Sequence, residues 1–148
     1  MAGSTGSIDI VRHYEAAPET VWQAWTDPQA LSRWFGPGEA RPLTKVELDV
    51  RPGGRYTIAF STPDGEEHQV SGEYVQVEPP RKLSFSWAWK STPDRVSFIT
   101  VELQAGPGWT TMRFRHERFF DEAARDNHRG GWTATFARLD TLLGRRPG

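Results

Sequence analysis

Between its two terminal lysines, the segment KLSFSWAWK, residues 82–90, alternates without a break between large apolar and small side chains. Four large side chains share one face of it: Leu83, Phe85, Trp87 and Trp89. A period of two is typical of a β-strand that buries one face. Other segments between residues 44 and 119 alternate less strictly, and turn residues such as TPDG at 62–65 separate them. This part of the chain predicts about six consecutive antiparallel strands: 44–50, 53–60, 67–77, 82–90, 95–105 and 109–119.

The amino-terminal part predicts one strand and two short helices. Residues 7–14 alternate imperfectly and indicate a first strand. Pro18 suits the first position of a helix, and Asp27 followed by Pro28 is a favourable start for a second one. The second helix is expected to present three apolar side chains and to stop at GPG: Leu31, Trp34 and Phe35.

The carboxy-terminal part predicts one long helix that begins near Asp121. Its apolar side chains recur at steps of four, three and four residues, as one helix face requires: Trp132, Phe136, Leu139 and Leu143. Gly130 and Gly131 precede this stripe, although each glycine inside a helix costs about 1 kcal/mol relative to alanine. Two explanations stay open: close approach of the helix to the sheet, which we favour, or space left for a ligand.

A run of strands followed by one amphipathic helix predicts an α+β fold. We expect a bent antiparallel sheet of six to seven strands, whose apolar concave face the long helix covers. Such a sheet need not be filled by its own side chains. This arrangement leaves room for a cavity between sheet and helix.

Composition limits the function classes. At 148 residues the chain is expected to form one domain, 1–148, with disordered tails at 1–6 and 144–148. Lys and Arg number 18 against 19 Asp and Glu, so no basic surface for nucleic acid is expected. The sequence contains no cysteine, and its amino terminus does not resemble a signal peptide. It also has no apolar run of membrane-spanning length, so we expect a cytoplasmic protein that binds no membrane.

Motifs for metal or nucleophilic chemistry are missing as well. The four histidines show no paired ligand spacing, so no metal or other cofactor is expected. No serine lies in a G-x-S-x-G elbow. The glycine-rich stretches GPGW and RPGGRY lack the lysine and helix of a phosphate loop.

Five blocks of the sequence form a more specific combination: APETVWQAWTDPQALSRWFGP, GGRY, GEYVQVEPPRKLSFSWAW, TVELQAGPGWTTMRFRHERF and GGWTATFARLDTLL. Over residues 7–143 the chain resembles the SRPBCC superfamily. Within it, the resemblance is to the bacterial proteins named after the carboxy-terminal domain of the heat-shock-protein-90 ATPase activator (Aha-type). It implies a helix-grip (START-like, Bet v-like) fold with an apolar cavity between the long helix and the sheet.

Twelve residues are predicted to surround this cavity. Aromatic side chains of the 83–89 strand and of the long helix would form its walls, although each of them alone is typical of an ordinary core. The resemblance supports Trp34 and Phe35 as a lid, and the alternative is that they plug one end of the sheet. His116 is in phase with Met112 and Phe114, so we expect it to point inward, as a hydrogen-bonded core histidine or as an acid or base. The full set is Trp34, Phe35, Tyr56, Phe85, Trp87, Trp89, Met112, Phe114, His116, Gly131, Trp132 and Phe136.

Three functions fit these observations, and the first is favoured. The chain is expected to bind an apolar, aromatic or lipid-like molecule without performing chemistry on it. Alternatively, it is an enzyme of the cyclase or hydrolase kind that uses His116 as acid or base. Members of the superfamily also act in larger assemblies, so a stress-related regulatory or co-chaperone-like module is a third hypothesis. We expect a monomer or a homodimer.

Overall fold

Seven strands and three helices make up residues 6–36 and 43–145, the part of the chain that the computed structural model describes. In chain order they are β1 (Ile8–Tyr14), α1 (Pro18–Thr26), α2 (Pro28–Leu31), β2 (Leu43–Leu48), β3 (Arg55–Ser61), β4 (Glu67–Glu78), β5 (Lys82–Trp89), β6 (Ser97–Gly106), β7 (Trp109–Glu117) and α3 (Glu122–Leu143). The predicted order of elements is therefore confirmed.

All seven strands belong to one antiparallel sheet in the order β1-β7-β6-β5-β4-β3-β2. Strands β2 to β7 follow one another as a meander, and β1 joins its end by pairing with β7. Ile8 faces His116 and Tyr14 faces Thr110 across this pair. The curved sheet and the long carboxy-terminal helix confirm the predicted α+β helix-grip-like fold.

Gly72 lies where two strands approach closely. A Cβ atom on this residue of β4 would come within 2.0 Å of the backbone oxygen of Ser86 and 2.8 Å of the Tyr56 ring. The sequence suggests a bulge or bend at this glycine, and β4 does change register against β5 two residues later, between Tyr74 and Gln76. Only a residue without a side chain fits this contact.

The second helix is shorter than the sequence predicts. Its start is as expected, because the Asp27 carboxylate accepts a hydrogen bond of 2.9 Å from the backbone N–H of Ala30. The helix ends at Leu31, however, and the backbone N–H groups of Trp34 and Phe35 bond to the Leu31 oxygen in the following turns. This turn directs both aromatic side chains into the interior, where each is buried.

The long helix is fixed at both ends. The Asp121 carboxylate accepts a hydrogen bond of 2.8 Å from the Ala124 N–H at its start. At its other end the Tyr14 hydroxyl donates to Asp140 over 2.9 Å. Gly144 caps the helix with a φ of 80°, and Arg145 forms a β-bridge with Tyr14.

Gly144 and Arg145, which are predicted to lie in a disordered tail, therefore take part in the folded structure. Residues 1–5 and 146–148 lie outside the described residues. Within the part that is described, no helix combines the length and the apolar character needed to cross a membrane.

Candidate ligand-binding cavity

An open cavity of about 230 Å³ lies between α3, the β3 and β5 strands and the turn after α2. Five aromatic side chains surround it, and the polar groups that line it carry no formal charge when the imidazole is neutral. The lining residues are Phe35, Gly36, Phe60, Trp87, Trp89, Asn127, His128, Gly131, Trp132 and Thr135. The cavity is thus apolar, with its polar side chains supplied by the helix.

The structure divides the twelve predicted residues into three groups. Five line this cavity: Phe35, Trp87, Trp89, Gly131 and Trp132. Two others, Tyr56 and Phe85, line a separate void of about 20 Å³. The remaining five line neither space and are buried to 98% or more: Trp34, Met112, Phe114, His116 and Phe136.

Contacts between aromatic rings explain why part of the interior is closed. The centroid of the Phe114 ring lies 4.7 Å from that of the Trp132 ring and 5.0 Å from that of the Phe136 ring. Trp34 packs against Trp25 at 4.9 Å, and its indole N–H donates to the Ala24 oxygen over 2.9 Å. Trp34 is therefore a core residue and not part of the lid that the resemblance suggests, whereas Phe35 does line the cavity.

The glycine pair does not serve close packing. A Cβ atom placed on Gly130 or Gly131 would meet nothing within 4 Å, outside the helix's own backbone and the adjacent residues. The favoured explanation, close approach of the helix to the sheet, is therefore wrong. Gly131 lines the cavity, whereas Gly130 is exposed and lies outside its lining. At Gly131 the missing side chain leaves space in the cavity wall.

His128, which is not among the twelve predicted residues, orients two tryptophans of the wall. Its Nδ1–H donates to the Ala124 oxygen over 2.7 Å, so its Nε2 is free to accept. That nitrogen accepts the indole N–H of Trp89 over 2.9 Å and that of Trp87 over 3.3 Å. Burial lowers the pKa of His128, and the bond to Ala124 only partly opposes this. The ring is therefore neutral at pH 7 and holds both indoles in place.

His116 is enclosed in the core. Its Nδ1 accepts the indole N–H of Trp132 over 3.0 Å, and its Nε2 bonds to the Ser97 hydroxyl over 2.7 Å. That hydroxyl donates onward to the Trp87 oxygen over 3.2 Å, so the Nε2 of His116 carries the proton. Burial, and to a lesser degree the neighbouring His128, lower the pKa of His116 to about 2.

These contacts agree with the interpretation of His116 as a hydrogen-bonded core histidine and correct its predicted place in the cavity lining. The residue has no exposed surface, it does not line the cavity, and both ring nitrogens are bonded to protein groups. It has no access from which to exchange a proton with a substrate. Instead, the imidazole connects Trp132 of the helix with the β6 residue Ser97.

Other lining residues were also missed. Phe60 could have been found, because it is in phase with Tyr56 along β3. Asn127 and Thr135 lie four residues before and after Gly131, on the same face of α3. The Thr135 hydroxyl donates to the Gly36 oxygen over 3.0 Å, which fixes the turn after α2 to the helix. Helical spacing from Gly131 would have been the useful signal.

The donor set does not suggest a metal centre. Within the described residues, no group of three or more His, Cys, Asp or Glu side chains is placed to hold a metal ion. The cavity instead offers flat aromatic walls together with neutral amide, imidazole and hydroxyl groups. This arrangement is suited to binding a small apolar molecule.

Comparisons with known proteins agree with this fold. A protein from Chromobacterium violaceum is 27% identical to the chain, with a TM-score of 0.82 over 93% of this chain and 97% of that one. An AHSA1 protein from Silicibacter pomeroyi is 24% identical, with a TM-score of 0.81 over 93% and 97%. An HSP90 activator from Plasmodium falciparum is 20% identical, with a TM-score of 0.74 over 95% and 97%. The last two likenesses, at under 25% identity, show the fold alone.

No curated protein matches the chain. The family model described as "Activator of Hsp90 ATPase homolog 1-like protein" matches residues 15–144, which is most of the sequence. This match confirms the resemblance found from the sequence blocks. The chain therefore belongs to the family of activator of Hsp90 ATPase homolog 1-like proteins.

Proposed function

We propose that this protein binds a neutral aromatic molecule of one or two rings in the cavity between α3 and the sheet, without performing chemistry on it. The observation that supports the proposal is the cavity itself, with about 230 Å³ of space among five aromatic side chains. Gly131 leaves the helix side of that space open. Concave apolar sites with a few polar groups are typical of small-molecule binding.

The volume narrows the class of ligand. An apolar cavity of about 150 Å³ binds a single benzene ring. A cavity of about 230 Å³ accordingly suits one ring with a substituent, or two fused rings. This size favours a compact aromatic molecule over the lipid-like ligands that the sequence also allowed.

The lining also favours a neutral ligand. Its polar side chains are those of Asn127, His128 and Thr135, and burial keeps His128 neutral at pH 7. A charged ligand would lose its hydration without gaining an ionic partner, which is costly in an apolar site. The wall itself supplies aromatic faces that stack against or meet a ring edge-on.

The glycine pair provides a matched test. We expect Gly131→Leu to weaken the binding of naphthalene by at least about ten-fold, because its side chain extends into the cavity. Gly130→Leu makes the same change one residue away, outside the lining, and is expected to leave affinity unchanged. Titration followed by tryptophan fluorescence measures both, since Trp87, Trp89 and Trp132 line the cavity.

Both variants replace a helical glycine and are expected to raise the melting temperature, so a loss of affinity would not reflect a loss of folding. Equal affinity in the two variants and the unaltered protein would contradict the proposal. No saturable response to naphthalene or other compact aromatics in the unaltered protein would contradict it as well.

The structure bears on the enzyme hypothesis but not on the hypothesis of a regulatory module. The enzyme hypothesis loses its acid or base, because His116 is enclosed and the Nε2 of His128 already accepts two indole N–H groups. The regulatory or co-chaperone-like module stays a prediction, as does the monomeric or homodimeric state. No feature of residues 6–36 and 43–145 favours the regulatory or co-chaperone-like module over ligand binding.

A further inference from the structure

Trp25 of α1 has an indole N–H without a partner among the described residues. Its side chain is 95% buried, packed between the rings of Trp34 and Phe114. A buried indole N–H normally finds an acceptor, and leaving one unpaired costs free energy. Other buried indoles of the chain follow this rule: Trp34 donates to Ala24, Trp87 to His128 and Trp132 to His116.

The unpaired donor belongs to a residue that lines the small inner void. This void measures about 20 Å³, which is enough for one water-sized atom and no more. Apart from two tyrosines and the indoles, its walls are hydrocarbon. The lining residues are Trp25, Leu31, Phe35, Leu48, Tyr56, Ile58, Tyr74, Leu83, Phe85 and Trp87.

The void lies directly behind the ligand cavity. Phe35 and Trp87 line both spaces, and their ring centroids are 6.1 Å apart. Because His128 holds the Trp87 indole in place, a bound molecule has to displace the Phe35 ring to enter the void. Once that ring is displaced, the deepest atom of the ligand reaches the void.

We infer that this inner void is a hydrogen-bonding subsite for one ligand oxygen, which accepts the N–H of Trp25. The inference rests on the proposed function and specifies its ligand. The molecule is a compact aromatic compound that carries a neutral acceptor oxygen, such as a ketone or aldehyde, at the end that enters first. The aromatic ring stays in the larger cavity, against the walls that Trp87 and Trp132 contribute.

Two features of the void select this chemistry. A carboxylate is excluded, because it would bring a second oxygen and a negative charge into a space without a cation. A group that only donates hydrogen bonds is unsuitable, because the Trp25 N–H is itself a donor and needs an acceptor. The nearby Tyr56 hydroxyl already donates to the Ser86 oxygen over 2.6 Å, and burial raises its pKa, which keeps it neutral.

Acetophenone and α-methylstyrene form a matched pair of probes, since they differ only in a C=O against a C=CH₂ group. We expect Trp25→Phe to weaken acetophenone binding about five-fold, the value of one hydrogen bond, and to change α-methylstyrene binding less than about two-fold. Trp34→Phe is the control: it also replaces a buried indole, but one whose N–H is already bonded and that lines neither space. It should leave the ratio of the two affinities unchanged.

Nuclear magnetic resonance of the unaltered protein gives an independent readout if either variant fails to fold. Acetophenone is expected to move the indole N–H proton of Trp25 downfield, whereas α-methylstyrene is not. If acetophenone shifts the signals of Trp87, Trp89 and Trp132 but not that of Trp25, the subsite is wrong and the proposed function stands. If neither probe moves any of these signals, the proposed function itself is contradicted for this ligand class.

Discussion

Replacing Phe136 by alanine is expected to lower the free energy of unfolding by about 3–5 kcal/mol, the usual range for a fully buried phenylalanine. This residue of α3 has no exposed surface. Four other aromatic rings have their centroids within 6.2 Å of the centroid of its ring: Trp25, Trp34, Phe114 and Trp132. These rings come from α1, α3, β7 and the turn after α2, so the cavity left by alanine cannot close without moving several elements. Urea unfolding measures the change.

Leu142→Ala is the control for this prediction. It lies on the same helix, but its side chain is 40% exposed, so its loss is expected to cost less than about 1 kcal/mol. Similar losses in the two variants would show that the closed part of the interior is not where the structure places it.

Lowering the pH from 6.5 to 5 is expected to reduce the free energy of unfolding by about 2 kcal/mol through His116. Burial lowers its pKa from 6.5 to about 2 in the folded protein, so the unfolded chain binds a proton that the folded protein does not. The slope approaches about 1.4 kcal/mol per pH unit once the histidine of the unfolded chain is almost fully protonated. The stability is fully present above pH 6.5 and is lost as the pH falls towards 2. Burial of His128 acts in the same direction.

His116→Gln separates this effect from other acid effects. Glutamine offers an acceptor to Trp132 and a donor to Ser97, as the imidazole does, but it does not titrate. We therefore expect a shallower pH dependence of the unfolding free energy between pH 6.5 and 5, measured by urea titration at each pH. An unchanged slope in this variant would mean that His116 is not buried in its neutral form.

The fold could be predicted from the sequence because each element has a period or a terminal signal of its own. The strict alternation at 83–89 gives β5, and Asp121 with the later apolar stripe gives α3. The turns at Trp34 and Phe35 were harder, because their apolar spacing resembles that of one more helical turn. Periodicity gives the direction of a side chain, and hydrogen bonds decide where the helix stops.

The candidate site could be predicted only in part, because inward direction does not give depth. Phe114 and Trp87 both point inward, but Phe114 is closed off by other rings while Trp87 lines the cavity. Direction and depth also have to be separated for His116 and His128. The position of His116 on an apolar strand face indicates its inward direction, whereas His128 reaches the cavity from α3. Its contact with Trp89 joins residues 39 apart in the sequence, which no local pattern reveals.

The most direct test of the account is to locate bound naphthalene in the unaltered protein by intermolecular nuclear Overhauser effects. We predict contacts from its protons to the rings of Phe35, Trp87 and Trp132 and to the α-protons of Gly131. Contacts confined to exposed apolar side chains such as Phe120 and Val96, with none to these four residues, would contradict the claim that this cavity is the binding site.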